Sequence, residues 1–321
     1  MDFFTHFLMG ILLSLFTLNS FNFSIVLYGV IMAVLADFDV ILEPLKRIKD
    51  THMLSHKGIS HSYFFAFILS GLTGIIFSFI TQELFLLVWI VGFLFYSLHI
   101  TLDFLTASKI PLFYPLFRKR IRFFIDRAIN IALATISGLI ILFYLTIFFL
   151  WPSLYFSPII YLILGFYLFY FTYRIITKVY VQLRLPKDAH YIPGIFPFTY
   201  LIYQNYSSNE NLLFKLTKKL QFRNRNNSIY DIKIEKGSLK EELYRHALKI
   251  CEKYVFFLKW EYILPKFEED DKIITLFLLL SESYFSGSFY SINIQFDKYS
   301  NRIIGLEDGF SKNDLQNNII H

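Results

Sequence analysis

Six apolar stretches ahead of residue 185, at roughly 5–22, 24–36, 60–80, 84–105, 129–150 and 157–178, constrain this chain more than any other feature. A helix of roughly 20 apolar residues crosses a hydrocarbon core of about 30 Å. Most of the six reach that length, whereas the second is short alone and needs a tilt or its flanks. Lipid offers no partners to backbone N–H and C=O groups, so a continuous apolar run of this kind crosses as a helix. Only 17% of the residues are charged and 55% are hydrophobic, against roughly 25% charged in an average soluble domain. This excludes a wholly soluble chain and a disordered one. The first stretch begins at Asp2, has no basic leader and carries His6, so it is read as a retained helix and not a cleaved signal.

Cytoplasmic loops collect Lys and Arg while translocated loops do not. Lys46, Arg47, Lys49 and Lys57 lie between stretches two and three, and Lys109, Arg118, Lys119, Arg120, Arg122 and Arg127 between four and five. Arg184 and Lys187 follow the sixth, while the alternate connections near 19–23, 81–83 and 151–157 contain neither residue type. The expected topology is a polytopic bundle of about six spans in the cell membrane, with both termini cytoplasmic. Residues 1–187 hold 14 Lys/Arg and 8 Asp/Glu, and 188–321 hold 17 of each. The whole excess of positive charge therefore belongs to the apolar part.

From about Asp188 the chain turns polar, which predicts two domains, a transmembrane one over 1–185 and a small cytoplasmic α+β domain over 186–321. Ser238 with Glu241 three positions later is a capping-box pattern, and Leu239, Leu243, Ala247 and Ile250 follow at helical spacing. A helix is expected over 239–252. Ser288 to Phe296 alternates apolar and polar residues as a half-buried strand does, and 199–206, 229–234, 254–264 and 273–281 are further strand candidates. Cys251 is the sole cysteine, so there is neither an intrachain disulfide nor a CxxC zinc site. The zero net charge of this part argues against nonspecific nucleic-acid binding.

Five of the eight histidines fall in the first hundred residues. An ionisable group near a membrane span is costly and is read by default as functional. His6 opens the first span, Asp37 and Asp39 end the second, His56 and His61 precede the third, and His99 and Asp103 end the fourth. Under the six-span topology all seven gather at the cytoplasmic ends of four consecutive helices. His99 and Asp103, four positions apart, share one helix face. Imidazole plus carboxylate without thiolate is a ligand set for zinc foremost, or for manganese or iron. Seven candidates exceed the three or four protein ligands of one catalytic zinc, so some would support the ligands, or the site would hold two ions. A bound metal would lower the pKa of water toward ~7 and supply a hydroxide nucleophile. Each residue taken alone also reads as an interfacial polar side chain; convergence favours a metal site. His52, His190, His246 and His321 lack partners at ligand spacing. Ser60 and Ser62 read as caps of the third span and not as nucleophiles.

His6, Asp37-Phe-Asp39, His56-Lys-Gly-Ile-Ser-His61-Ser and His99-Ile-Thr-Leu-Asp103 together resemble the motif series of the membrane-bound metal-dependent hydrolases, also described as LexA-regulated inner-membrane hydrolases. The resemblance covers roughly residues 1–120, including 106–115, and the 191–206 segment is similar to the family's tail. Lys57 stands where the family usually has Arg, which keeps the charge but not bidentate anion contact. The resemblance implies a divalent metal and hydrolysis and leaves the substrate open.

The leading expectation is a metal-dependent hydrolase cleaving an ester or phosphoester at the cytoplasmic surface. Asp39 or Asp103 would accept a proton and Lys57 would hold the anionic part of a lipid or phosphorylated small molecule. The Arg118 to Arg122 run reads first as a set of anchors to anionic headgroups. A metal-free lipid phosphatase shares only the His99-x3-Asp103 element and lacks the others that mark that family. A non-catalytic scaffold with a structural metal clamp is the alternative from another class. A transporter would place its ionisable groups nearer the midplane.

Overall fold

Asp2 starts the first helix, α1 (Phe3–Thr17), by accepting a hydrogen bond from the Thr5 backbone N–H at 2.9 Å. The structure is a computed structural model and describes residues 1–18, 22–47, 57–150, 157–252, 257 and 260–312. Helix α2 (Phe23–Leu35) passes into a tighter 3-10 segment, Ala36–Arg47, and a short 3-10 turn, Ile59–His61, precedes α3 (Tyr63–Thr81). Helices α4 (Phe85–Phe104), α5 (Ile131–Leu150) and α6 (Ser157–Arg184) follow. Ser62 caps α3 as expected, accepting from Phe65 N–H at 3.2 Å. Ser60 does not cap it, because the 3-10 turn delays the helix start to Tyr63.

Four helical runs are long and apolar enough to cross a membrane: Phe23–Ile41, Tyr63–Thr81, Phe85–Phe104 and Pro158–Arg184. The 3-10 continuation supplies the length that 24–36 lacks by itself. Phe3–Thr17 and Ile131–Ile147 are shorter apolar helices. The result is a mainly helical membrane region, with large apolar side chains such as Phe79, Leu162 and Leu168 turned outward.

Small residues let these helices approach closely. A Cβ placed on Gly10 of α1 would lie 2.7 Å from the Ala33 Cβ of α2, and one on Gly92 of α4 would lie 2.6 Å from the Tyr28 hydroxyl. Around these contacts Ile25, Met32, Ala66, Val88, Phe95, Tyr96 and Ile100 form a buried core. Successive helices alternate in direction, so the start of α1, the end of α2, the start of α3 and the end of α4 meet at one end of the bundle. The connection from α4 to α5 folds back on that end: Phe123 N–H donates to the Phe104 carbonyl at 2.7 Å and Ile125 N–H to the Leu105 carbonyl at 2.8 Å.

Contacts divide the chain into Met1–Arg174 and Ile175–His321, a division that falls inside α6. The second unit contains two four-stranded antiparallel sheets. One has the order β1 (Ala189–Pro193), β2 (Thr199–Ser207), β3 (Asn211–Leu220), β4 (Arg223–Glu235), and the other β5 (Ile263–Glu269), β6 (Ile273–Phe285), β7 (Ser288–Asp297), β8 (Ile303–Lys312). Helix α7 (Leu239–Cys251) stands between them in sequence and buries Leu243, Tyr244, Ala247 and Cys251. Its capping box is shifted by one residue: Ser238 accepts from Glu241 N–H, but the Glu241 carboxylate accepts from Gly237 N–H at 2.7 Å.

The strand expected over 254–264 is corrected. Residues 253–256 and 258–259 lie outside the described residues, and β5 begins only at Ile263. The N–H groups of Glu261 and Tyr262 donate instead to the Glu282 carboxylate at 2.9 and 3.2 Å, so a side chain takes the place of a strand partner.

Candidate metal centre

The site begins at the end of α4, where a helical spacing of four turns His99 and Asp103 to the same face. Both are fully buried, as are His6 and His61. His99 is positioned by α2: its Nδ1 lies 2.8 Å from the Ala33 carbonyl. A carbonyl only accepts, so Nδ1 carries a proton, and in the neutral ring Nε2 presents a lone pair. Nε2 faces Asp37 Oδ1 at 3.5 Å and Asp103 Oδ2 at 3.8 Å, and among the described residues it has no hydrogen-bond partner. A lone pair aimed at two carboxylates in a buried site is unfavourable, and either a proton on Nε2 or a metal cation between the groups relieves it.

His61 repeats the arrangement from the start of α3. Its Nδ1 lies 3.3 Å from Asp39 Oδ2 and 3.0 Å from the Ser60 hydroxyl, which itself donates to Asp39. Nε2 then faces Asp103 Oδ2 at 3.1 Å. Burial pushes the His61 pKa down to about 3, against the opposing pull of Asp39, so the ring is neutral and able to ligate near neutral pH. One donor atom from each of Asp37, His61, His99 and Asp103 lies within 4.8 Å of all the others.

The remaining expected residues surround this group. The ring of His6 stacks on His99 with centroids 3.8 Å apart, and its Nε2 lies 3.3 Å from Asp103 Oδ1. Asp39 is drawn to the far side of His61 and accepts the Lys57 N–H at 3.0 Å. Lys57 has a left-handed backbone, φ 57°, and its ammonium sits 2.9 Å from Asp103 Oδ2. Burial lowers its pKa, with Asp37 opposing. His56 and His52 lie outside the described residues, as does His321. In the second unit His190 stacks on Tyr262 and His246 packs against Phe296.

The donor set, two neutral imidazoles and two carboxylates, suits zinc, manganese or iron.

A second buried polar group escaped the sequence reading. Arg174 of α6 is fully buried and donates to Asp126 Oδ1 at 2.9 Å; the Tyr170 hydroxyl donates to Asp126 Oδ2 at 2.6 Å and the Asn130 amide to Oδ1 at 2.9 Å. The signal was present, because Arg174 is an ionisable residue inside the apolar stretch 157–178. Asp126 N–H also donates to the Leu105 carbonyl, two residues beyond Asp103, at 3.2 Å. The pair thereby ties α6 to the end of α4 that carries the site.

Neither the curated proteins nor the solved structures contain a match to this chain. A family model described as YdjM inner membrane protein matches residues 1–181, which include all four residues of the cluster, the surrounding His6, Asp39 and Lys57, and Arg174. The chain belongs to the YdjM inner membrane protein family.

Proposed function

We propose that this protein is a membrane-embedded, metal-dependent hydrolase that acts on an ester or phosphoester at the cytoplasmic end of its helices. The observation that carries the reading is the buried His99 Nε2 lone pair directed at the carboxylates of Asp37 and Asp103. Asp37, His61, His99 and Asp103 would hold the cation, zinc foremost. Such a cation, when bound, polarises an ester or phosphoryl oxygen and lowers the pKa of water toward ~7.

The chain's own groups divide the remaining work. Asp39 and Ser60 keep the proton of His61 on Nδ1, and the Ala33 carbonyl does the same for His99, so both rings present Nε2 to the cation. Asp39 or Asp103 would accept a proton from water: Asp39 Oδ2 accepts from Lys57 N–H and Ser60, and Asp103 Oδ2 faces the Lys57 ammonium. The Lys57 ammonium beside Asp103 would hold the anionic part of the substrate as a point charge. The side chain of Asp37 is 17% exposed while those of His61, His99 and Asp103 are closed off, so substrate would approach past Asp37.

The test is elemental mass spectrometry of the detergent-purified protein beside a His61→Ala, His99→Ala double variant, followed by chromogenic ester and phosphoester substrates with and without chelator. Stoichiometric metal and chelator-sensitive hydrolysis in the parent, both lost in the variant, are expected. A folded parent that takes up no metal on reloading, or hydrolysis unchanged in the variant, would overturn the reading.

A further inference from the structure

A hairpin in the α4–α5 connection is unused by the metal site and is built as a stalk with an unlike tip. Ile110 and Ile121 pair through two backbone hydrogen bonds, Ile121 N–H to Ile110 carbonyl at 2.9 Å and the reverse at 3.0 Å. Ile110 and Leu112 are buried in the helix core, and the Leu112 carbonyl accepts the Tyr63 N–H at the start of α3 at 3.1 Å. The base is therefore fixed to the first residue of one span and close to Phe104, the last of another. The tip is outside the core: Phe113, Leu116 and Phe117 are 46%, 79% and 65% exposed, and the next residues, Arg118 and Lys119, are exposed cations.

We propose that this hairpin is a membrane-surface anchor, in which Phe113, Leu116 and Phe117 enter the headgroup region while Arg118 and Lys119 bind anionic phospholipid headgroups. Three large apolar side chains open to water would be a liability on a soluble loop, but a bilayer begins at the level of Tyr63 and Phe104. Tyr63 and Phe113, with ring centroids 6.2 Å apart, form the aromatic pair that membrane interfaces favour. The adjacent cations complement an anionic leaflet and argue for lipid over a neutral apolar partner. This surface is independent of the hydrolytic reading. If both hold, the anchor sits at the same helix ends as the site and would favour an acidic amphiphile as the substrate reaching it.

The experiment uses the full chain in lipid nanodiscs with Leu116→Cys carrying a nitroxide label. Cys251 is the sole native cysteine and is buried, so labelling is selective. Accessibility to oxygen and to a water-soluble nickel chelate is measured by power saturation, in phosphatidylcholine alone and with phosphatidylglycerol added. The label is expected to be oxygen-accessible and shielded from nickel in the anionic discs and to shift toward water in the neutral ones. Arg118→Gln with Lys119→Gln should lower the inserted-to-free ratio by about thirtyfold, roughly fivefold per cation. High salt on the unsubstituted labelled protein should weaken insertion in the same direction, independently of how the variant folds. A nickel-accessible label in both lipids would overturn the anchor, and equal insertion in both would overturn the recognition of anionic headgroups.

Discussion

The His99 ring donates its Nδ1 proton to the Ala33 carbonyl 2.8 Å away, and this contact between α4 and α2 decides which nitrogen faces Asp37 and Asp103. In the neutral ring that contact directs Nε2, a potential ligand atom, toward the two carboxylates. Zinc at about 100 times its Kd should then stabilise the detergent-purified protein by about 2.7 kcal/mol. Thermal unfolding with zinc and then with chelator measures this, and a parent whose unfolding temperature does not respond would contradict a preformed site. His99→Ala should abolish the response.

Asp39 holds His61 from behind, with its Oδ2 3.3 Å from Nδ1. Asp39→Asn should weaken metal binding about 10- to 100-fold without abolishing it. Competition against a chelator of known affinity distinguishes this from Asp103→Asn, which removes a proposed ligand and should cost more.

The Arg174 and Asp126 side chains are both fully buried and 2.9 Å apart. Removing one partner of a buried ion pair is strongly destabilising, so Asp126→Ala should cost roughly 3–5 kcal/mol. Asp126→Leu combined with Arg174→Met should cost much less than the two single changes summed. A double-mutant cycle by thermal unfolding in detergent checks the coupling; additive losses would mean the pair is not coupled.

Gly10 lies where a Cβ would meet the Ala33 Cβ at 2.7 Å. Gly10→Val should push α1 away from α2 and cost about 1–3 kcal/mol by overpacking. Ala33 also holds His99, so the variant should lose metal affinity as well as stability. Unchanged affinity at lowered stability would show that the two effects are separable.

Glu241 has its pKa held below the ordinary 4.5, first by the Gly237 N–H bond and then by Arg245. A carboxylate depressed by folding adds stability above its unfolded pKa, and that contribution disappears as pH falls through the lower folded value. The stability difference between parent and Glu241→Gln should be present at neutral pH and shrink steadily below pH 4.5. Unfolding followed by circular dichroism across that range provides the measurement.

Much of the membrane region was legible because its signals are local. Apolar length marks the helices, and alternating loop charge marks which ends share a side. These signals place His6, Asp37, Asp39, His56, His61, His99 and Asp103 at one end of the bundle, and all but His56, which lies outside the described residues, are found together there. The Ser238 start of α7 and the alternation in β7 were readable for the same reason. Strands β1, β3 and β8 were missed, because their patterning is weak and their pairing comes from neighbours. Of the strand expected over 254–264, residues 254–256 and 258–259 lie outside the described residues, and the described 260–262 are not strand where the Glu282 side chain accepts from the Glu261 and Tyr262 backbone.

The division of labour within the site belongs to the tertiary structure. Asp37 and Asp39 are near-equivalent in sequence, yet one faces the His99 Nε2 and the other the far side of His61. The use of the Ala33 carbonyl, the diversion of Ser60 to Asp39 and the pairing of Arg174 with Asp126 depend on which helix surfaces meet. Sequence by itself determined that helices form and which of their ends carry polar groups, because periodicity and charge act over a few residues. Only packing decided which atoms face one another, since residues far apart in the chain are brought together by the close approach of helices at Gly10 and Gly92.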